Sequence, residues 1–141
     1  MISYETFIYS RVVGALRETY PGITAYSAAP ENTPAAFPAV SIVETDNAVY
    51  RKTLARVIEN ASRVTYEVNV YSNTVGTKKS EAKDILEAVD AQFAALGFVR
   101  TMCNPVPNLQ DPTIYRLIAR YEGVIMPEKS ETEEIIRVYT N

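Results

Sequence analysis

Hydrophobic and polar positions alternate from Ser62 to Asn73. Val64, Tyr66, Val68 and Val70 fall on one side, and Arg63, Thr65, Glu67, Asn69 and Tyr71 on the other. A period of two in β-branched and aromatic residues predicts a half-buried strand of an antiparallel sheet. After the link Thr74-Val75-Gly76-Thr77 the period lengthens to that of a helix over Lys78 to Leu96. There Ala82, Ile85, Leu86, Val89, Phe93 and Leu96 form one stripe, with Glu81, Lys83, Asp84, Glu87 and Asp90 facing water. Gly97 stands where a left-handed helix cap is wanted.

The flanking segments read less cleanly. Ser3 to Thr19 has a helical stripe of Tyr4, Phe7, Ile8, Val12, Ala15 and Leu16, with Ser3 placed to cap it, Glu5 in the first turn and Pro21-Gly22 as a stop. Residues 23–37 form a connector, kept irregular by Pro30, Pro34 and Pro38. Ala39 to Thr45 is a short strand, and Asp46-Asn47 a turn. Residues 48–60 fit neither period. A hairpin arm with 49–58 paired back onto 62–73 is the preferred reading, and a short helix competes with it. Phe98 to Cys103 is a strand, and Asn104 to Pro112 a proline-rich loop. Thr113 to Ile125 is the last core strand, with Tyr115, Leu117, Ala119 and Tyr121 inward, Arg116, Arg120 and Glu122 outward, and Pro127 as its end. In the tail, Ser130 and Glu133 fit a capping box for a last helix, while Ile135 to Thr140 reads equally well as a strand.

This order of elements predicts an α+β domain over residues 1–127 and a separate tail, 128–141. The sheet would have four or five mostly antiparallel strands with two main helices on one face, plus a β-hairpin arm at about 48–63. The polar outer positions of 62–73 and 113–124 leave the other sheet face for water or a partner.

A length of 141 residues suits one domain, and 47% apolar residues suffice for a core. A net charge of −3 argues against non-specific nucleic-acid binding through bulk charge. No apolar run is long enough to span a bilayer, and the N-terminus lacks the basic and apolar regions of a signal peptide. One cysteine, Cys103, allows no internal disulfide. Histidine is absent, which removes the commonest general base and the triads built on it. There is no glycine-rich phosphate loop.

The remaining candidates for chemistry are weak. Glu128, Glu131, Glu133 and Glu134 match no calcium-loop spacing and read as a solvated run. Asp84, Glu87 and Asp90 fall on the exposed side of a helix, where nothing tunes them for acid–base work. Cys103 has Arg100 near it in sequence but no base, so it is expected to be a small buried strand residue. Arg51, Lys52, Arg56 and Arg63 would cluster if the arm forms, either touching a partner or phosphates or protecting a sheet edge. No catalytic residue, cofactor or metal is expected.

Three blocks in order carry a family resemblance: Glu59 to Asn73, then Gly76 to Lys83 opening a helix, then Gly97 to Thr101 with Pro105 to Asn108 and Ile114 to Arg116. Together they resemble the tail terminator, or tail completion, proteins of tailed bacteriophages, often labelled minor capsid proteins. The resemblance covers most of residues 38–125 and leaves 128–141 unmatched. It implies a small α+β subunit of the virion, at the head-proximal end of the tail, assembled in the cytoplasm of the bacterial host. Copies would close into a ring, commonly a hexamer, that caps the tail tube, stops its polymerisation and docks the head connector or stopper.

The implied partners are the chain itself, the tail tube protein, the head connector or stopper protein, and a sheath protein if the tail contracts. DNA would pass through the ring without specific recognition, and no membrane is involved. The arm (Arg51, Lys52, Arg56, Arg63) and the tail (Ile135, Ile136, Val138, Tyr139) are the expected contacts, because neither is needed for the core. A head-side connector subunit and an unrelated small binding module are the alternatives.

Overall fold

A computed structural model describes residues 1–30, 33–50, 61–107, 111–129 and 134–138. The elements run α1 (Glu5–Thr19), β1 (Thr24–Tyr26), β2 (Ala39–Val49), β3 (Ser62–Ser72), α2 (Lys78–Ala95), β4 (Val99–Val106), β5 (Tyr115–Lys129) and β6 (Glu134–Val138). They build one sheet in the order β1-β2-β3-β5-β4, with β6 also paired to β5. All neighbours are antiparallel except β1 and β2, so the chain is an α+β domain. Both helices pack on the same side of the sheet, α2 across β3, β5 and β4 and α1 against α2 and β2.

The alternation of β3 decides where the core lies. Val64, Tyr66, Val68 and Val70 are fully buried and meet Ile8, Val12, Leu16, Ile85, Val89 and Phe93 from the helices. Register places Tyr66 beside Tyr121 and Val68 beside Ala119, so the inward side of β5 continues the same surface. Tyr66, Phe93, Phe98 and Tyr121 form its aromatic centre, with Phe93 stacked on Tyr121 at 4.4 Å between ring centres. α2 ends as its sequence predicts. Gly97 has φ of +83°, and Phe98 N–H reaches back to Phe93 O at 2.9 Å, closing the helix with the left-handed turn that glycine takes without strain.

Several expectations need correction. Ser3 does not cap α1: Tyr4 holds the cap position and no side chain bonds there. Phe7 is 43% exposed, and Val13 replaces it in the core. The connector contains a strand, β1, lying parallel to β2. β2 runs on to Val49 because Asp46-Asn47 is not a turn: a bulge between Glu44 and Asp46 shifts the alternation while pairing continues. The partner of β3 is therefore 39–49 rather than 49–58. Both edges of β3 are taken along its whole length, by β2 and β5. Residues 51–60 of the expected arm lie outside the described residues.

Pro127 does not end β5. It sits opposite Ile136 in the β5–β6 ladder, past Ile125, where β3 no longer flanks the strand and one edge tolerates a residue without an N–H. The tail is thus a strand over Glu134–Val138, not a helix. β4 extends to Val106 and takes in Pro105, as an outermost strand permits.

Candidate interaction surface

The two segments expected to meet neighbours leave the sheet at one end. Val49, Ser62 and Ile125 are in register across β2, β3 and β5, and Tyr50 N–H donates to Ala61 O at 3.0 Å just beyond. Past this end β5 continues to pair with β6, its one partner there among the described residues. β6 lies on the same edge of β5 as β4, which begins opposite Glu122, so the two run in one row. Ile135, Ile136 and Val138 fall on β6. Arg51, Lys52, Arg56 and Tyr139 lie outside the described residues, so Arg63 alone of the expected cations has a described position.

Arg63 is already engaged. Its Nε is 3.5 Å from Glu122 Oε1, and its guanidinium sits 6.0 Å from the Tyr50 ring centre. The neighbouring step on the helix-free face repeats the idea, with Arg120 Nε donating to Glu67 Oε2 at 3.1 Å across β3 and β5. Exposed pairs of this kind contribute at most about 1 kcal/mol each. Their effect on recognition is larger: Arg63 and Arg120 are neutralised within the chain, which weakens the field this part of the face offers a phosphate backbone. The face is not polar throughout. Near the other end of the sheet Tyr71, Ala39 and Ile114 are buried under Tyr26 and Phe37 of the connector.

Three residues read as solvated or buried from sequence stand elsewhere. Cys103 is exposed on β4, the outermost strand of the row, at the margin of the helix layer. It borders a shallow cleft with Lys83, Glu87 and Arg100. Asp90 does not simply face water. Its Oδ1 accepts from the Tyr121 hydroxyl at 3.1 Å and from Arg100 Nη1 at 2.8 Å. Glu81 likewise accepts from Ser72 at 2.8 Å and Thr74 at 3.2 Å, tying the end of β3 to the first turn of α2. Tyr66 and Tyr121 hold their phenol protons far more tightly than a free tyrosine. Burial is the main cause, and the Glu44 and Asp90 carboxylates beside them add to it. These are structural acids and acceptors. Among the described residues no three His, Cys, Asp or Glu side chains converge as metal ligands would.

At the end of the sheet away from β6, a cleft of about 430 Å³ opens between the end of β4 and the start of β5. Proline side chains and Tyr115 wall it, and Arg116 borders it. Sequence reading passed over this place. The only signal was the density of prolines from 105 to 112. No helix among the described residues is long and apolar enough to cross a membrane.

No protein-family model matches the chain, and no curated protein matches it at significant similarity.

Proposed function

We propose that the chain is a structural subunit of a tailed-phage particle, a tail terminator whose copies close into a hexameric ring on the tail tube, end its growth and offer the head connector a docking surface. The observation that carries this reading is the β5–β6 hairpin. It extends past Ser62 and Ile125, and among the described residues it pairs with no other strand there, which suits an arm built for a neighbour. The blocks that resemble terminators support it, since they fall in order on β3, the start of α2, the start of β4 and the start of β5. The same surfaces would suit a head-side connector, which differs in where it docks.

Purified chain mixed with purified tail tubes and, separately, with portal complexes tests the reading. Co-sedimentation with tubes and arrest of further tube growth are expected. Binding to portals alone would move the subunit to the head side, and binding to neither would remove the reading.

A further inference from the structure

Arg116 is a half-buried cation that makes no ion pair among the described residues. Its Nε donates to Asn69 Oδ1 at 2.9 Å, and its guanidinium lies 5.5 Å from the centre of the Tyr71 ring. Asn69 and Tyr71 are 3% and 6% exposed, so the arginine is held in place by rigid neighbours. It borders the apolar cleft walled by Pro105, Pro107, Pro112, Ile114 and Tyr115. Lys78 stands close by, donating to Thr113 O at 3.2 Å. The acid nearest to it in the chain, Asp111, has its Oδ1 accepting from the backbone and hydroxyl of Thr113. A fixed guanidinium at the rim of an apolar cleft fits a carboxylate carried next to apolar side chains.

One segment of this chain has that chemistry. Between 128 and 134 stand four glutamates and one lysine, followed directly by Ile135 and Ile136. Its two ends lie on β5 and β6, which run past Ser62 and Ile125, whereas Arg116 is paired with Tyr71 at the other end of the sheet. The hairpin of one copy therefore cannot be the occupant of its own cleft, but it can reach that of the next. Residues 126–129 alone extend about 13 Å at the rise of an extended strand.

We propose that the cleft receives the β5–β6 hairpin of a second copy, with the carboxylates of 128–134 meeting Arg116 and the apolar residues after them covering the cleft walls. The contact joins unlike patches at opposite ends of the sheet, so it is heterologous, as a ring requires. It also sets the strands along the circumference of the ring. This inference rests on the ring reading above and specifies its contact.

The test compares self-association of the full chain by sedimentation and light scattering. Arg116→Gln retains a side chain able to bond Asn69, and should weaken association about tenfold or more with an unchanged melting temperature. A chain with Glu128, Glu131, Glu133 and Glu134 all changed to Lys should weaken it as strongly, without touching the core. Combining Arg116→Glu with those four changes should restore the ring, because the charges are exchanged across the contact. Unaltered rings in both the Arg116→Gln and the four-lysine chains would overturn the hairpin-in-cleft contact while leaving the ring reading in place. Failure of the exchanged-charge chain to recover, with its fold intact, would overturn the contact as well. A wild-type chain that never associates would overturn both.

Discussion

Gly123 on β5 and Phe98 ahead of β4 occupy one space. A Cβ at 123 would stand 2.8 Å from Phe98 Cδ1 and 2.9 Å from Cε1, well inside contact distance. The ring cannot simply swing away, since it packs edge-on to Phe93 at 5.4 Å and to Tyr66 at 5.9 Å. Gly123 is therefore the position at which the β5 backbone lets the aromatic centre close. Gly123→Ala should cost about 1–3 kcal/mol in chemical denaturation, the usual range for overpacking. Phe98→Leu in the same chain should recover part of the loss. An alanine variant as stable as the parent would show that Phe98 has somewhere else to go.

Asp90, Tyr121 and Arg100 form a short chain of charge-assisted bonds at the edge of the core. Removing the donor and removing the acceptor should not be equal. Tyr121→Phe leaves Asp90 with Arg100 and should cost about 1 kcal/mol. Asp90→Ala strands a phenol in a residue that is 1% exposed, and should cost more, about 1–3 kcal/mol. In the double variant the costs should fall short of their sum, which equilibrium unfolding of the four proteins measures directly.

Two of the buried tyrosines, Tyr66 and Tyr121, make the fold sensitive to alkali. Both Tyr66 and Tyr121 are raised above the ordinary phenol value by burial and by an adjacent carboxylate. Their folded pKa exceeds their unfolded one, so the folded state holds its protons longer. Their contribution is complete below about pH 10 and is lost progressively as the pH rises above it. Tyrosinate absorbance from Tyr66 and Tyr121 should appear in one late step coincident with loss of helix. A smooth titration of all ten tyrosines, with the circular dichroism unchanged, would contradict this.

The β5–β6 hairpin runs past Ile125, the last core residue among those whose burial is described. Deleting 128–141 should leave the melting temperature within a few degrees of the parent, because it removes β6 and the end of β5 while leaving the pairing of β3 with β2 and β5 intact. The same deletion should abolish the ring, as scattering mass would show. An unchanged oligomer would remove the tail from the contact.

Much of this architecture was legible where the pattern was long. The alternation of β3 and the stripe of α2 predicted both elements and the core residues they supply, though Asn69 and Tyr71 on the other side of β3 are buried too, and Gly97 predicted the cap between α2 and β4. Short or interrupted patterns were not legible. β1 has three residues, too few to show a period, and its partner strand lies beyond a stretch of prolines. The bulge at Thr45 reads as a turn because it breaks the alternation, although the ladder survives it. Cys103 reads as buried because its residue type usually is, and its exposure follows from β4 being outermost, a property of topology. Arg116 reads as an ordinary outward residue. What makes it distinctive is Asn69 and Tyr71, brought beside it only when β3 and β5 pair.

The central claim is that this chain works by fitting against copies of itself. Negative-stain images of the purified wild-type chain, together with its mass in solution as concentration is raised, test it most directly. Closed rings of six subunits around a central hole, with a matching mass, are predicted. A particle that keeps the 15.7 kDa mass of one chain at the highest attainable concentration would contradict it.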